Sequence, residues 1–170
     1  MYIWKVGNME ENHLSFQICT TPDEFESAKE GYQAVLEGLG NNIISKLGNV
    51  ELGRTVQIFM RNRENKVVGG AIGNIFGGWV YISLLWIEES FRNRGHGTEL
   101  LKMIENEAVK LGCKNAHLDT YSFEAKPFYE KNGYTLFATL ENYPKGHSKH
   151  FLEKNLLPQK EDSDAKQRQI

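Results

Sequence analysis

Little in this chain of 170 residues points to cross-links, membranes or nucleic acid. Its two cysteines, Cys19 and Cys113, are isolated and far apart, without the paired spacing that metal ligands need, so reduced thiols and no metal are expected. Prolines number only four. No apolar run approaches bilayer-spanning length, and the opening Met1-Tyr2-Ile3-Trp4 is apolar for too short a stretch to be a secretion signal. These absences predict a cytoplasmic protein with no membrane partner. A formal net charge of −2 removes the global basic field that gathers nucleic acid, so none is expected as a partner. What is present, 40% apolar and 25% charged residues, suits a globular domain with a sizeable core over residues 1–157. After Pro158 the polar tail 158–170 has the composition of a disordered segment.

Alternation over Leu14 to Cys19 predicts a strand. Thr21, Pro22, Asp23 and Glu24 then supply the capping hydroxyl, early proline and acidic first turn of a helix from about 22 to 38. Gly38, Gly40, Asn41 and Asn42 punctuate its end and leave 40 to 53 as loop or short helix. Two β-rich runs, Thr55 to Met60 and Lys66 to Ile75, form a hairpin, and Gly77-Gly78 turns into a third run, Trp79 to Ile87. Leu100, Leu101, Ile104, Ala108 and Leu111 recur at helical spacing over His96 to Leu111. A strand Ala116 to Tyr121, a helix Glu124 to Lys131, and strands Tyr134 to Leu140 and Lys149 to Glu153 follow. The order is that of an α/β domain with a mixed sheet.

The segment Arg92-Asn93-Arg94-Gly95-His96-Gly97 joins a strand to a helix N-terminus. Such a turn aims unpaired backbone N–H groups and the helix dipole at one point, as a pyrophosphate requires. Gly95 and Gly97 allow close approach, Arg92 and Arg94 add charge, and the Thr98 hydroxyl adds a donor. The turn lacks the Gly-Lys-Ser/Thr of a nucleotide-hydrolysing P-loop and the third glycine of a dinucleotide fingerprint.

The run from Leu84 to Gly97 resembles the strand-and-loop motif of the GCN5-related N-acetyltransferases, and Ala125 to Tyr134 is similar to a later motif of the same superfamily. The similarity holds in order over about residues 55 to 156. It implies a mixed central sheet, flanked by helices, that splays open between the strand ending at Ile87 and the strand ending at Tyr121, with acetyl-CoA in the gap as cosubstrate. By this resemblance the backbones of Leu85 and Ile87 pair with pantetheine, and residues 92 to 98, Asn93 and His96 among them, hold the pyrophosphate. Ser122 stands where many relatives carry a cofactor-bonding asparagine, and Phe128 adjoins the cofactor. Tyr129 matches the general acid that protonates the departing thiolate, a role its chemistry supports because a phenol keeps its proton at pH 7.

A nucleophilic amine must be neutral, so something takes its proton. The positions that carry the base in several relatives are Tyr81 and Ser83 here, both poor bases. His117, Asp119 or a water chain remain candidates, whereas Glu88 and Glu89 read as capping or solvated residues. The loops at 40 to 53 and from Asn142 to His147, with Tyr143 and His147, are expected to wall the acceptor pocket. The expected activity is direct acetyl transfer from acetyl-CoA to a primary amine of a small molecule or peptide, with a non-catalytic acyl-CoA-binding module as the alternative. The resemblance also admits a homodimer through the later strands.

Overall fold

The Thr21 hydroxyl accepts from the Glu24 N–H at 3.4 Å while the Glu24 carboxylate accepts from the Thr21 N–H at 3.0 Å. This reciprocal capping box opens the first helix of the computed structural model, which describes residues 16–48 and 53–157. The chain divides into two compact units, Met1–Val50 and Glu51–Ile170. The first holds α1 (Pro22–Ser27) and α2 (Lys29–Leu47). Three expectations are corrected there, the first being the single helix expected from about 22 to 38, which is interrupted at Ala28. Residues 16–19 form a single bridge at Phe16 rather than a strand, residues 14 and 15 lying outside the described part, and α2 runs through Gly38 and Gly40 to Leu47. An interior glycine costs a helix only about 1 kcal/mol, so those glycines weaken α2 without ending it. Gly48, at φ +76°, ends it.

The second unit is a six-stranded mixed sheet: β1 (Arg54–Arg61), β2 (Val67–Phe76), β3 (Trp79–Ile87), β4 (Asn115–Tyr121), β5 (Thr135–Glu141) and β6 (Ser148–Asn155), in the order β1-β2-β3-β4-β6-β5. Gly77 and Gly78, both at positive φ, make the tight turn between β2 and β3, where side chains would be strained. Every neighbouring pair is antiparallel except β3 and β4. Those two are linked by α3 (His96–Lys110), the crossover that a parallel pair requires. A short helix α4 (Lys126–Lys131) follows β4.

Leu100, Leu101, Ile104 and Ala108 of α3 are buried together with Val80, Ile82, Leu118 and Leu152 of the sheet. Each buried Leu, Ile or Val among them contributes about 1.5–3 kcal/mol by leaving water. Gly73 lets α3 lie close, since a Cβ there would stand 3.0 Å from Ile104 and 2.8 Å from Val80. Leu111, expected in the stripe, caps the helix and is 40% exposed. Glu105, which the pattern placed outside the stripe, is instead buried. It accepts from the Tyr134 hydroxyl at 2.9 Å and from Lys154 Nζ at 2.7 and 2.9 Å. The tail 158–170 lies outside the described residues.

Candidate active site

β3 and β4 pair only from Trp79↔Asn115 to Ile82↔Leu118. Beyond that point each strand runs on without the other, β3 to Ile87 and β4 to Tyr121. Ser83, the next residue of β3, is the extra residue of a bulge, because Ile72 pairs with Leu84 and Gly73 with Ile82. A bulge bends its strand and sharpens its twist, so the fork opens where the bulge sits. Ser83 Oγ donates to the Ile72 carbonyl and accepts from Asn74 Nδ2, both at 3.2 Å.

The Glu88 N–H donates to the Val68 carbonyl of β2 at 2.9 Å. In a trans peptide the N–H and C=O point opposite ways, so the Ile87 carbonyl points away from β2 and into the fork. Alternation along the antiparallel ladder gives the backbone of Leu85 the same direction. Arg92 Nε donates to that Ile87 carbonyl at 2.9 Å, which ties the glycine turn to the strand end.

A cavity of about 840 Å³ lies along the fork. Of the residues singled out from the sequence, Leu85, Ile87, Arg92, Asn93, Gly95, Gly97 and Thr98 line one side of it, and Phe128 and Tyr129 line another. The helix N-terminus in its wall belongs to α3, whose N-cap Gly95 has φ +87° and offers no side-chain cap. The N–H groups of that first turn are therefore open to an anion, and the dipole favours one. This donor set fits the pyrophosphate of acetyl-CoA. Gly97 has a second duty, for a Cβ there would approach the Phe128 ring to 3.3 Å.

Arg94, His96 and Ser122 are not among the lining residues. His96 Nδ1 lies 3.5 Å from Glu99. Ser122 is engaged with Ser148 instead: its N–H donates to the Ser148 carbonyl at 2.8 Å and its hydroxyl accepts from the Ser148 N–H at 3.1 Å. Lys102, Glu105, Lys131, Asn132 and Lys154 complete the polar end of the cavity. None of them carries a local signal for a site; a tally of lysines around α3 and α4 points to Lys102 and Lys131 but not to Lys154 of β6.

Tyr129 is 8% exposed and stands edge-on to Phe128 and Tyr134. Burial pushes its hydroxyl up to about 12, and the nearby carboxylates of Glu124 and Asp119 push the same way. It therefore holds its proton at neutral pH.

Among the candidates for accepting a proton, Tyr81 is itself pushed up to about 12, first by burial and then by Asp119, to which its hydroxyl donates at 2.5 Å. His117 is still inside the paired ladder, stacked on Tyr81 at 4.8 Å with planes 17° apart. Burial lowers its pKa, outweighing Asp119, so the ring is neutral. With Tyr81 it borders a second cavity of about 450 Å³. Asp119 is the first β4 residue beyond the last β3–β4 pair. Its carboxylate, at the residue where the fork begins, is held by Tyr81 on one oxygen and by Lys149 Nζ at 2.8 Å on the other. Like Tyr81, Ser83 and His117, it is not among the residues lining the cavity of about 840 Å³. A carboxylate has about four lone-pair sites, so two remain for a further donor. Glu88 reaches Lys66 and Ser90, in keeping with a solvated role.

A profile of the acetyltransferase (GNAT) family matches residues 21–134. An acetyltransferase of Agrobacterium fabrum is 40% identical over 101 residues, 59% of this chain and 74% of that protein. The blasticidin-S acetyltransferase of Streptomyces morookaense is 34% identical over 94 residues, 55% of this chain and 69% of that protein. The crystal structure of an acetyltransferase from Bacillus cereus superposes with a TM-score of 0.68 at 34% identity, covering 82% of this chain and 96% of that one.

Proposed function

The chain belongs to the GNAT family of acetyltransferases, and from that premise we propose that it moves an acetyl group from acetyl-CoA directly to a primary amine of a small molecule or peptide, with residues 1–157 acting as one catalytic domain. The observation that carries this reading is the fork itself: β3 and β4 part after Ile82 and Leu118, beside an uncapped helix N-terminus and a buried tyrosine. A relative named for blasticidin S supports a small-molecule acceptor.

Acetyl-CoA supplies the acetyl group as a thioester. In this reading Gly95, Gly97 and Thr98 hold its pyrophosphate at the α3 N-terminus, with Arg92, Asn93 and Arg94 adding charge and polar contacts. The backbones of Leu85 and Ile87 bond its extended arm along β3, as an added strand would. Asp119 receives the acceptor's ammonium at the apex and takes or relays its proton, which frees the nitrogen lone pair to attack the thioester carbonyl. Backbone N–H groups of β3 facing the fork stabilise the developing oxyanion, where one donor is worth about 3 kcal/mol. Tyr129 gives its proton to the sulfur as the carbon–sulfur bond breaks. The second proton, shed by the nitrogen as the amide forms, returns to Tyr129 through solvent, so the balance is an amide, a free thiol and the one proton taken through Asp119.

A route through an acyl-cysteine is disfavoured because Cys113 is 1% exposed and burial pushes its thiol up, away from the reactive thiolate. The test is release of free thiol from acetyl-CoA against polyamines, aminoglycosides, amino acids and short peptides. Amine-dependent release is expected. Release with none of them, while acetyl-CoA binds by calorimetry, would favour a non-catalytic acyl-CoA-binding module. Cys113→Ala should leave initial rates unchanged.

A further inference from the structure

Where β4 ends, at the open end of the fork, three aromatic rings lie in nearly parallel planes. Tyr121 and Phe123 are stacked with centroids 5.2 Å apart and planes 3° apart, and Tyr143 stands 6.3 Å from Tyr121 at 17°. Burial explains the inner ring, which is half-covered. It does not explain the outer two, since Phe123 is 57% exposed and Tyr143 51%. Single exposed aromatics are ordinary, but several gathered in nearly parallel planes mark a contact surface.

Hydrogen bonds fix the arrangement. The Tyr143 N–H donates to the His147 carbonyl and the His147 N–H to the Pro144 carbonyl, each at 2.8 Å. The Gly146 N–H donates to Asn142 Oδ1 at 2.8 Å, and the Ser122–Ser148 clamp joins the turn bearing Phe123 to the strand leaving the Tyr143 loop. The His147 ring meets Phe123 edge-on at 4.9 Å. Rings held this way lose little freedom when a ligand stacks on them.

The shelf is connected to the apex of the fork. Tyr121 and Asp119 share one face of β4, two residues and therefore about 7 Å apart. Lys149 bridges them, 2.8 Å from Asp119 and 5.6 and 5.8 Å from the ring centres of Tyr121 and Tyr143. We infer that the acceptor carries a planar aromatic or heteroaromatic ring, which stacks on an exposed ring of this cluster, Phe123 or Tyr143, while its amine reaches Asp119 through a short arm. The inference rests on the proposed acyl transfer and names the acceptor class for that same site.

The test uses two amines of equal charge and similar size, 2-phenylethylamine and 2-cyclohexylethylamine, which differ in whether the ring is flat and aromatic. Binding of each to the protein with coenzyme A present is measured by calorimetry, and kcat/KM by thiol release from acetyl-CoA. The aromatic amine should be favoured about fivefold in both. In a Phe123→Leu/Tyr143→Leu protein the preference should fall to near one, with acetyl-CoA affinity unchanged; both positions are exposed, so folding is not at stake. Equal affinity for the two amines, no binding of either, or a preference that survives the double substitution would overturn the shelf. Preferential binding without thiol release would instead sustain the shelf and count against acyl transfer. Release from both amines with no ring preference would do the reverse.

Discussion

Tyr81 on β3 donates its hydroxyl hydrogen to Asp119 on β4 at 2.5 Å, spanning the two strands where their backbone pairing ends. Main-chain bonds no longer join β3 to β4 beyond Ile82 and Leu118, so this side-chain bond and the Lys149 ion pair set where the carboxylate points.

Replacing Asp119 by Asn keeps the shape and removes the charge. kcat/KM for amine acceptors should fall about 100-fold, with the acetyl-CoA dissociation constant unchanged. Tyr81→Phe should cost far less, because Lys149 still holds the carboxylate. An Asp119→Asn enzyme with native rates would remove Asp119 from the reaction.

Tyr129→Phe should lower kcat by about 100-fold while leaving coenzyme affinity intact. Because burial and carboxylates push Tyr129 up to about 12, its ionisation imposes no descending limb at working pH. Because the acceptor binds as its ammonium and loses the proton on the enzyme, kcat/KM of the native enzyme should stay level up to about pH 10 and fall only as the free amine loses that proton. A fall between about pH 8 and 10 that vanishes in Tyr129→Phe would contradict the assignment.

Alkali should unfold the protein by a traceable route. Tyr81 and Tyr129 are pushed up to about 12 and Tyr134 upward as well, each first by burial, whereas unfolded tyrosines ionise near 10. Their folded-state values lie above the unfolded one, so the stability they contribute is full below about pH 10 and declines as pH rises toward 12. Urea midpoints should hold between about pH 8 and 9.5 and drop by about pH 11. A flat midpoint across that range would show that these hydroxyls ionise as easily folded as unfolded.

Glu105→Ala should destabilise the fold by about 3 kcal/mol, because it strands the buried Tyr134 hydroxyl and removes the partner of Lys154. Tyr134→Phe, which deletes only the donor, should cost about 1 kcal/mol. Equal urea midpoints for Glu105→Ala and the native chain would mean that Lys154 and Tyr134 find water without penalty.

Gly97→Ala places a methyl 3.3 Å from Phe128, a packing cost of about 1 kcal/mol that opposes the roughly 1 kcal/mol alanine gains over glycine within a helix, so the urea midpoint should move little. Gly97→Glu adds a negative charge at the cradle and should abolish acetyl-CoA binding, read by calorimetry on protein whose circular dichroism remains native. Undiminished affinity would move the pyrophosphate away from this turn.

Local signals in the sequence determined most elements of the second unit. The β-rich runs around Asn62 to Asn65, the glycine pair at 77 and 78, the apolar stripe of α3 and Gly133 after α4 act over a few residues, and β3 came out as Trp79–Ile87, as read. The glycine turn and Tyr129 were legible for the same reason, since each depends on a contiguous motif. Helix α2 was cut short because Gly38 and Gly40 weigh heavily in a local reading, while the helix tolerates their cost. Long-range pairing decided the rest. Only the register shows that Ser83 is a bulge, that the fork opens after Ile82 and Leu118, and that Asp119 rather than His117 stands at its apex. Only the packing brings Glu105 to Lys154, 49 residues away, and sets Tyr121, Phe123 and Tyr143 in one stack. A hydrophobic period specifies which face of an element is buried, but which strand a residue meets across the sheet is settled by the chain's return path, which no local pattern contains.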